Sequence, residues 1–586
     1  MIHNHWLDHL LALRSILLLL AIVSPSMGLK LVAASDKPNV LLICVDDLKP
    51  TLGCYGDPLA KTPNIDRLAS RAVLFESAYC NQAVCSPSRN ALLTGLRPQT
   101  LGIYDLGTNF RKSRPNAITM PQFFKQQGYH TAALGKIFHV GHGNGEDQAS
   151  WSVPHFKANV VGYALPESKA PQGLTREEAL FDNKSAAGLP RGAVIEAANV
   201  SDETYADGKI AQEAMLRLQQ ASQKPNEPFF LAVGFVKPHL PFVAPQKYWD
   251  LYQRDQFSLP SITKAPAGAP AYAPTNWGEL RQYQGVPQEG PLSADLQKEL
   301  IHGYYAATSY MDAQVGRVLD ELDRLQLTDR TIVVLWGDHG WHLGDHGMWC
   351  KHSNYEQATR IPVLFSIPGG QKNVKTKALL ETVDIYPTLC QLAGLPSPAD
   401  IDGSSQIQVL SHPQSHLKDH VIHVYPRSPQ GKGPILGRAI RTERYRLVEW
   451  KGYGASPETA EYELYDYQAD PLERENLASQ QPQVVEQLKS LLARHPEAKP
   501  QIKANATPAK PAEATSPQKP TAKIDRNKLF ATKDKNADGK LTHEEFMSNQ
   551  PDGPAAAQRF IKFDINKDGT LSQEEFVGSG STRKTQ

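Results

Sequence analysis

Cysteine and net charge are both scarce in this chain. Cysteine occurs six times in 586 residues, at Cys44, Cys54, Cys80, Cys85, Cys350 and Cys390. That is too thin for the disulfide framework of a small secreted domain. At most one or two bridges are open to these residues, and the spacing assigns none. Lys and Arg number 62 against 61 Asp and Glu, so there is no electrostatic case for a nucleic-acid partner. Long apolar runs are missing as well, apart from "SILLLLAIV" behind Arg14. That run is too short to span a bilayer comfortably and reads as a secretory signal over residues 1–34, with cleavage near Gly28 or Ala34. The alternative is an uncleaved N-terminal anchor. With the signal removed, no membrane contact is expected, and the protein is expected to be exported to the periplasm or beyond the cell.

What is present is enough length for two or three domains. "KPNVLLICVDDL" is a β-branched apolar run closed by Asp46 and Asp47. "RTIVVLWGDHG" repeats the pattern and closes with Asp338 and His339. Continuous apolar runs of this kind are strands buried on both faces. "PFFLAVGFVKPHLPF" reads as a third, stopped by Pro238. "TPNIDRLASRAVLF" and "TMPQFFKQQGY" read as helices, and residues 293–325 as one long amphipathic helix or two. Strands alternating with helices predict an α/β fold over 35–395, a doubly wound and largely parallel sheet flanked by helices. From 396 to 495 the texture is that of a smaller antiparallel subdomain. Residues 496–523 have the Pro, Ala, Lys and Thr content of an extended linker, and a helical module fills 524–586.

In "AVCSPSRNALLTG" a cysteine leads a Cys-x-Pro-x-Arg frame. Cys85 and Arg89 stand too close together for the phosphate-wrapping loop of a cysteine phosphatase. Paired carboxylates at the ends of neighbouring strands suit a divalent cation, because hard cations prefer oxygen. A solvated turn explains either pair alone equally well. Lys136 and His139 in "GKIFH", Lys237 and His239 in "KPHLPF", and Lys351 in "WCKHSN" would each, singly, more often be surface charge or satisfied core polarity.

Together, however, these segments resemble the sulfatase family, formylglycine-dependent enzymes of the alkaline phosphatase superfamily. The resemblance runs from about Pro38 to Leu477 and rests on "NVLLICVDDL", "TPNIDRLA", "CSPSRNALLTG", "GKIFH", "KPHLPF", "GDHGWHLGDHGMWCK", "VDIYPTL" and "LYDYQADPLERENL". "YDLGTNFR", "MPQFFKQQGYHTAALGKIFHVG" and "YPRSPQGKGPILGRAIRTERYRLVEW" are most similar to the iduronate-2-sulfatase branch. The chain departs from that branch at Gly102, where a basic residue is the branch pattern, and from many sulfatases at His339, where Asn is common.

The resemblance implies a sulfuric ester hydrolase in which a maturation enzyme oxidises Cys85 to formylglycine. One hydroxyl of the aldehyde hydrate takes the sulfate, and the second then expels it, a covalent route with a built-in exit. Asp46, Asp47, Asp338, His339 and the oxygen of residue 85 are implied ligands of one Ca2+, with Mg2+ or Mn2+ as alternatives. Arg89 is implied to hold the hydrate, and His139 to act as the base that restores the aldehyde. Lys136, Lys351 and His239 are implied to surround the sulfate, with His239 protonating the leaving oxygen.

"DKNADGKLTHEE" and "DINKDGTLSQEE" each match the twelve-residue calcium loop of an EF-hand. The first predicts ligands Asp534, Asn536, Asp538, Lys540 (through its carbonyl), Thr542 and Glu545. The second predicts Asp564, Asn566, Asp568, Thr570 (carbonyl), Ser572 and Glu575. The expected partners are therefore a sulfated glycan or small sulfate ester, the maturation enzyme, one active-site cation and two loop-bound calcium ions. Two other functions remain open on sequence: a phosphonate monoester or phosphodiester hydrolase of the same fold, and a catalytically silent, calcium-dependent glycan-binding protein.

Overall fold

Strand Asn39–Val45, buried along its whole length, is the centre from which the rest of the main unit is arranged. It pairs in parallel with Thr331–Gly337 on one side and Phe229–Phe235 on the other. The structure, a computed structural model, describes residues 37–158, 162–169, 191–502, 526–548 and 553–578. The segment expected to be a signal and most of the expected linker lie outside these residues. The chain divides into two units, Met1–Pro508 and Ala509–Gln586.

The main sheet has seven strands, in the order Val374–Glu381, Val73–Tyr79, Arg360–Ser366, Thr331–Gly337, Asn39–Val45, Phe229–Phe235, His130–Gly135. It is mixed and mostly parallel; Arg360–Ser366 runs against both of its neighbours. Alternation along the central strand divides the core. Val40, Leu42 and Cys44 face a layer containing Leu92, Phe124 and Leu389. Leu41, Ile43 and Val45 face one containing Ile65, Ile210 and Val315. Helices therefore cover both faces, which is why the strands read as unbroken apolar runs.

Several expectations shift in detail. "TPNIDRLASRAVLF" is a helix only over Pro63–Ala69, and Val73 opens a strand. Its β-branched and aromatic residues are taken up by pairing with Arg360–Ser366 and Val374–Glu381, contacts that local spacing cannot anticipate. The long helix is a single one, Ala294–Arg324, started by the Ser293 hydroxyl accepting from the Leu296 amide. "PFFLAVGFVKPHLPF" holds two strands, the second being Phe242–Pro245, which pairs with Ile195–Ala198. All six cysteines are free thiols.

The smaller subdomain is a four-stranded antiparallel sheet of His420–Arg427, Ile435–Thr442, Tyr445–Gly452 and Glu461–Asp466. Helix Pro482–Leu492 packs Val485, Leu488 and Leu492 onto its Ile422, Ile440, Leu447 and Leu464. Beyond it the chain does not leave the body at Pro496, as its composition suggests. The Lys499 amide donates to the Gln99 carbonyl at 3.1 Å, and the Ile502 amide to the Gly102 carbonyl at 2.8 Å. The Tyr104 hydroxyl donates to the Lys499 carbonyl at 2.7 Å. Backbone pairing needs no apolar periodicity, so composition misplaces the boundary. Gly102 sits at φ 68°, and a Cβ there would come within 2.8 Å of the Pro500 carbonyl oxygen. A basic side chain at this position is therefore excluded by the returning tail.

The second unit is an EF-hand pair. Its loops are joined by the short strands Lys540–Thr542 and Thr570–Ser572, with Leu541 opposite Leu571. Phe530, Phe546, Phe560 and Phe576 fill its core. Among the described residues no helix is long and apolar enough to cross a membrane.

A chain ending at Ile502 is expected to melt where the full catalytic unit does. One ending at His495 loses these three tail hydrogen bonds together with those that Pro496, Glu497 and Gln501 make to Arg438, Lys451, Tyr104 and Thr108. Each is worth about 1 kcal/mol, and the melting midpoint should fall by several degrees in differential scanning calorimetry. Equal midpoints would contradict the docking of the tail.

Candidate active site

Val45 lies opposite Phe235 on one side and Gly337 on the other. The three strands therefore end at one level, and the residues that follow them meet at the carboxyl edge of the sheet, where open α/β sheets bind ligands. Asp46, Asp47, Asp338 and His339 are all fully buried there. The Asp47 amide donates to Asp338 Oδ1 at 2.9 Å. Asp47 is itself left-handed, at φ 58°, which costs an L-residue roughly 1–2 kcal/mol. The Tyr304 hydroxyl, from the long helix, holds that turn by donating to the Asp47 carbonyl at 2.8 Å.

Cys85 is the first residue of helix Cys85–Thr94, all ten residues of which are buried. Its Sγ lies 3.4 Å from His339 Nε2, 3.8 Å from Lys136 Nζ and 4.0 Å from Asp47 Oδ1. The spacing of Cys85 and Arg89 now has a reason, since one helical turn puts Arg89 beneath Cys85. Arg89 Nη2 donates to Asp46 Oδ1 at 2.9 Å, and its Nε to Asp338 Oδ2 at 3.1 Å. Gly95, at φ 69°, ends the helix.

Lys136 follows the edge strand and pairs with Asp46. Its backbone reaches the site because residue 234 is glycine; a Cβ there would lie 2.1 Å from the Lys136 carbonyl oxygen. Lys351 stands between two left-handed residues, Cys350 at φ 67° and His352 at φ 32°. Its Nζ donates to both Asp47 oxygens at 3.1 Å. His239 Nδ1–H donates to the Leu240 carbonyl, leaving Nε2 aimed at Asp47 and Asp46, 3.9 and 4.0 Å away. His139 stands apart from this group. Its Nε2 meets His142 Nδ1 at 3.1 Å, and its own hydrogen bond does not run to Cys85. Lys237 turns away, donating to the His239 and Pro241 carbonyls.

Burial sets the electrostatics of every group here. It pushes Asp46 upward, but Lys136 and Arg89 outweigh it and hold that carboxyl well below its usual range. Burial, reinforced by Asp46, lifts Asp338 to about 7 in spite of Arg89. Burial, with Asp46, Glu279 and Asp338 adding, pushes Asp47 well above its usual range against Lys351. Burial and then Asp46 raise the Cys85 thiol, so an unmodified residue 85 is held as a neutral, poor nucleophile. Burial and Lys351 keep His339 neutral, the form in which imidazole binds metals.

The donor set fits a divalent cation. One ligand atom each from Asp46, Cys85, Asp338 and His339 lie within 4.8 Å of one another, and so do those of Asp46, Asp47, Cys85 and His239. Three carboxylates and one imidazole suit a hard ion better than a soft one. Sequence reasoning missed Glu279. It sits in "NWGELRQ", far from any strand end and without a local pattern, yet its Oε2 is 3.1 Å from Lys351 Nζ and its Oε1 3.4 Å from His239 Nε2.

Comparison with known proteins decides the family. The sulfatase family model matches residues 38–395, more than half of the chain. The chain belongs to the sulfatase family. The model for the C-terminal part of N-sulphoglucosamine sulphohydrolase matches residues 344–498, and an EF-hand model residues 556–577. Iduronate 2-sulfatase of Mus musculus is 36% identical over 516 residues, covering 76% of this chain and 91% of that protein. The Homo sapiens enzyme is 34% identical, covering 76% and 92%. Among solved structures, a protein in complex with its substrate D-glucosamine-2-N,6-O-disulfate superposes with TM-score 0.61 at 22% identity, over 78% of this chain and 97% of that one. A phosphonate monoester hydrolase from Silicibacter pomeroyi superposes with TM-score 0.62 at 20% identity, over 78% and 95%. These last two likenesses establish the fold. This sulfatase is accordingly a sulfuric ester hydrolase with an appended EF-hand pair.

In both EF-hand loops the acidic residues are tied to the loop backbone. Asp534 accepts from the amides of Asp538 and Gly539, and Asp564 from those of Asp568 and Gly569. Glu545 and Glu575 fold back onto Thr542 and Ser572.

Replacing Arg89 by Met should leave Asp46 and Asp338 buried without their shared partner and lower stability by about 3–5 kcal/mol, measured by denaturant unfolding of the purified protein. A loss below 1 kcal/mol would show that the pairing is not structural.

Proposed function

We propose that this enzyme removes a sulfate ester from a sulfated saccharide in the manner of an iduronate 2-sulfatase, using formylglycine made from Cys85 and one calcium ion. The observation that carries the reading is the seat of Cys85. It heads a fully buried helix, with Arg89 one turn below and Asp46, Asp47, Asp338, His339 and Lys136 around it. Likeness to two iduronate 2-sulfatases over nine-tenths of their length supports the saccharide class. Export through the N-terminal segment belongs to the same reading.

The aldehyde hydrate would supply the attacking hydroxyl and, after transfer, the second hydroxyl that releases sulfate. Asp46, Asp47, Asp338 and His339 would hold the cation, which would neutralise sulfate charge and favour the ionised hydroxyl. Arg89, anchored on Asp46 and Asp338 one helical turn below residue 85, would hold the hydrate. Lys136, 3.8 Å from Cys85 Sγ, and Lys351, paired with Asp47, would bring positive charge to the sulfate oxygens. His239 presents Nε2 towards Asp46 and Asp47 and, when it carries a proton there as well as on Nδ1, would hand that proton to the departing saccharide oxygen. His139, one step further out beside His142, would take the proton that lets the aldehyde re-form. In the second unit, the residues Asp534 to Glu545 and Asp564 to Glu575 would each hold a calcium ion, as structural sites.

Turnover of a sulfated saccharide should vanish in Cys85→Ala, and Cys85→Ser should accumulate a sulfated enzyme visible by intact mass. Aryl phosphonate or phosphodiester assayed in parallel should turn over far more slowly than the sulfate ester. A preference for the phosphorus ester would overturn the substrate class. Glu545→Gln with Glu575→Gln should remove two equivalents of bound calcium while aryl sulfate turnover stays unchanged; an unaltered calcium count would refute the loop assignment.

A further inference from the structure

We propose that Glu279 is the positioning residue that aims His239 and Lys351 at the leaving-group side of the sulfate. The proposal rests on the reading above. Glu279 spans the two donors with its two oxygens, Oε2 at 3.1 Å from Lys351 Nζ and Oε1 at 3.4 Å from His239 Nε2. It is the most exposed of the three, at 15% against 8% for His239 and 4% for Lys351. It is thus the member of the trio nearest to solvent.

Three neighbours in sequence explain the rigidity of the bridge. Leu240 follows His239, Cys350 precedes Lys351 and Leu280 follows Glu279, and all three share one apolar cluster with Trp277, Trp341 and Trp349. The loop carrying Glu279 is tied further. The Arg281 guanidinium lies 3.3 Å from the centre of the Trp277 ring and donates to the Pro287 and Gly290 carbonyls. Each functional side chain is thus one residue away from a common anchor. The carboxylate holds both donors in place before substrate arrives, which lowers the reorganisation needed in the reaction.

A donor that protonates the departing oxygen matters most when the leaving group is a poor one. Saccharide and alkyl sulfates need that proton, whereas an activated aryl sulfate such as 4-nitrocatechol sulfate leaves as a stable phenolate. The test is kcat and KM for both substrate types in the full-length enzyme, with Glu279→Gln and Glu279→Asp, alongside melting midpoints. Glu279→Gln should lower kcat on an alkyl or saccharide sulfate about 10- to 100-fold, with KM within about threefold and an unchanged midpoint. The aryl sulfate should lose less than about threefold. Glu279→Asp, which keeps the charge, should recover part of the alkyl sulfate rate. Equal losses on both substrates, no loss on either, or no recovery with Asp would overturn the proposal. If Glu279→Gln does not fold, the Asp variant decides alone, through a loss confined to the alkyl sulfate or its absence. Wild-type enzyme that turns over neither substrate would refute the sulfatase chemistry proposed for Cys85, a result distinct from any of these.

Discussion

Three carboxylates share a fully buried space at the carboxyl edge of the sheet, and the rest of the site is arranged to compensate them. Asp46, Asp47 and Asp338 are each 0% exposed, and buried like charges cannot persist without partners. Arg89 answers two of them at once, Lys136 pairs with Asp46 and Lys351 with Asp47. The same compensation creates the chemistry. The groups that neutralise the carboxylates in the folded protein are the cationic donors that the proposed mechanism would turn towards an incoming sulfate monoester.

The scaffold serves this constraint through backbone detail rather than bulk. Parallel pairing of the central strand brings the three strand ends level. Gly234 lets Lys136 approach, left-handed Asp47 turns its carboxyl inward, and Tyr304 secures that turn. Helix Cys85–Thr94 lies with Leu92 and Leu93 in the core on one face of the sheet, so residue 85 cannot move independently of the sheet. The antiparallel subdomain reaches the active-site rim as well. The Arg427 guanidinium donates to the His352 carbonyl at 2.6 Å, next to Lys351.

Much of this was legible in the sequence because it is local. Apolar runs ending in Asp-Asp and Asp-His declare the strands and the polar side chains at their ends, and the EF-hand loops declare themselves through fixed spacing. What stayed hidden depends on distant contacts. Glu279 reaches its partners through a shared apolar cluster and carries no pattern of its own. Val73–Phe75, at the end of an expected helix, belongs to a strand once its two partner strands are in place. The tail at Lys499–Ile502 is held by backbone hydrogen bonds, to which composition is blind. Gly102, where the chain departs from the branch pattern, leaves room for that tail to pass.

The central claim is that residue 85 acts as an aldehyde rather than as a thiol. Its most direct test is the mass of the peptide containing residue 85 from enzyme of measured specific activity, with and without capture by an aldehyde-reactive hydrazide. The account predicts a fraction in which sulfur and two hydrogens have been exchanged for one oxygen, captured by the hydrazide and proportional to activity across preparations. Full turnover from protein in which residue 85 is wholly an unmodified thiol would contradict it.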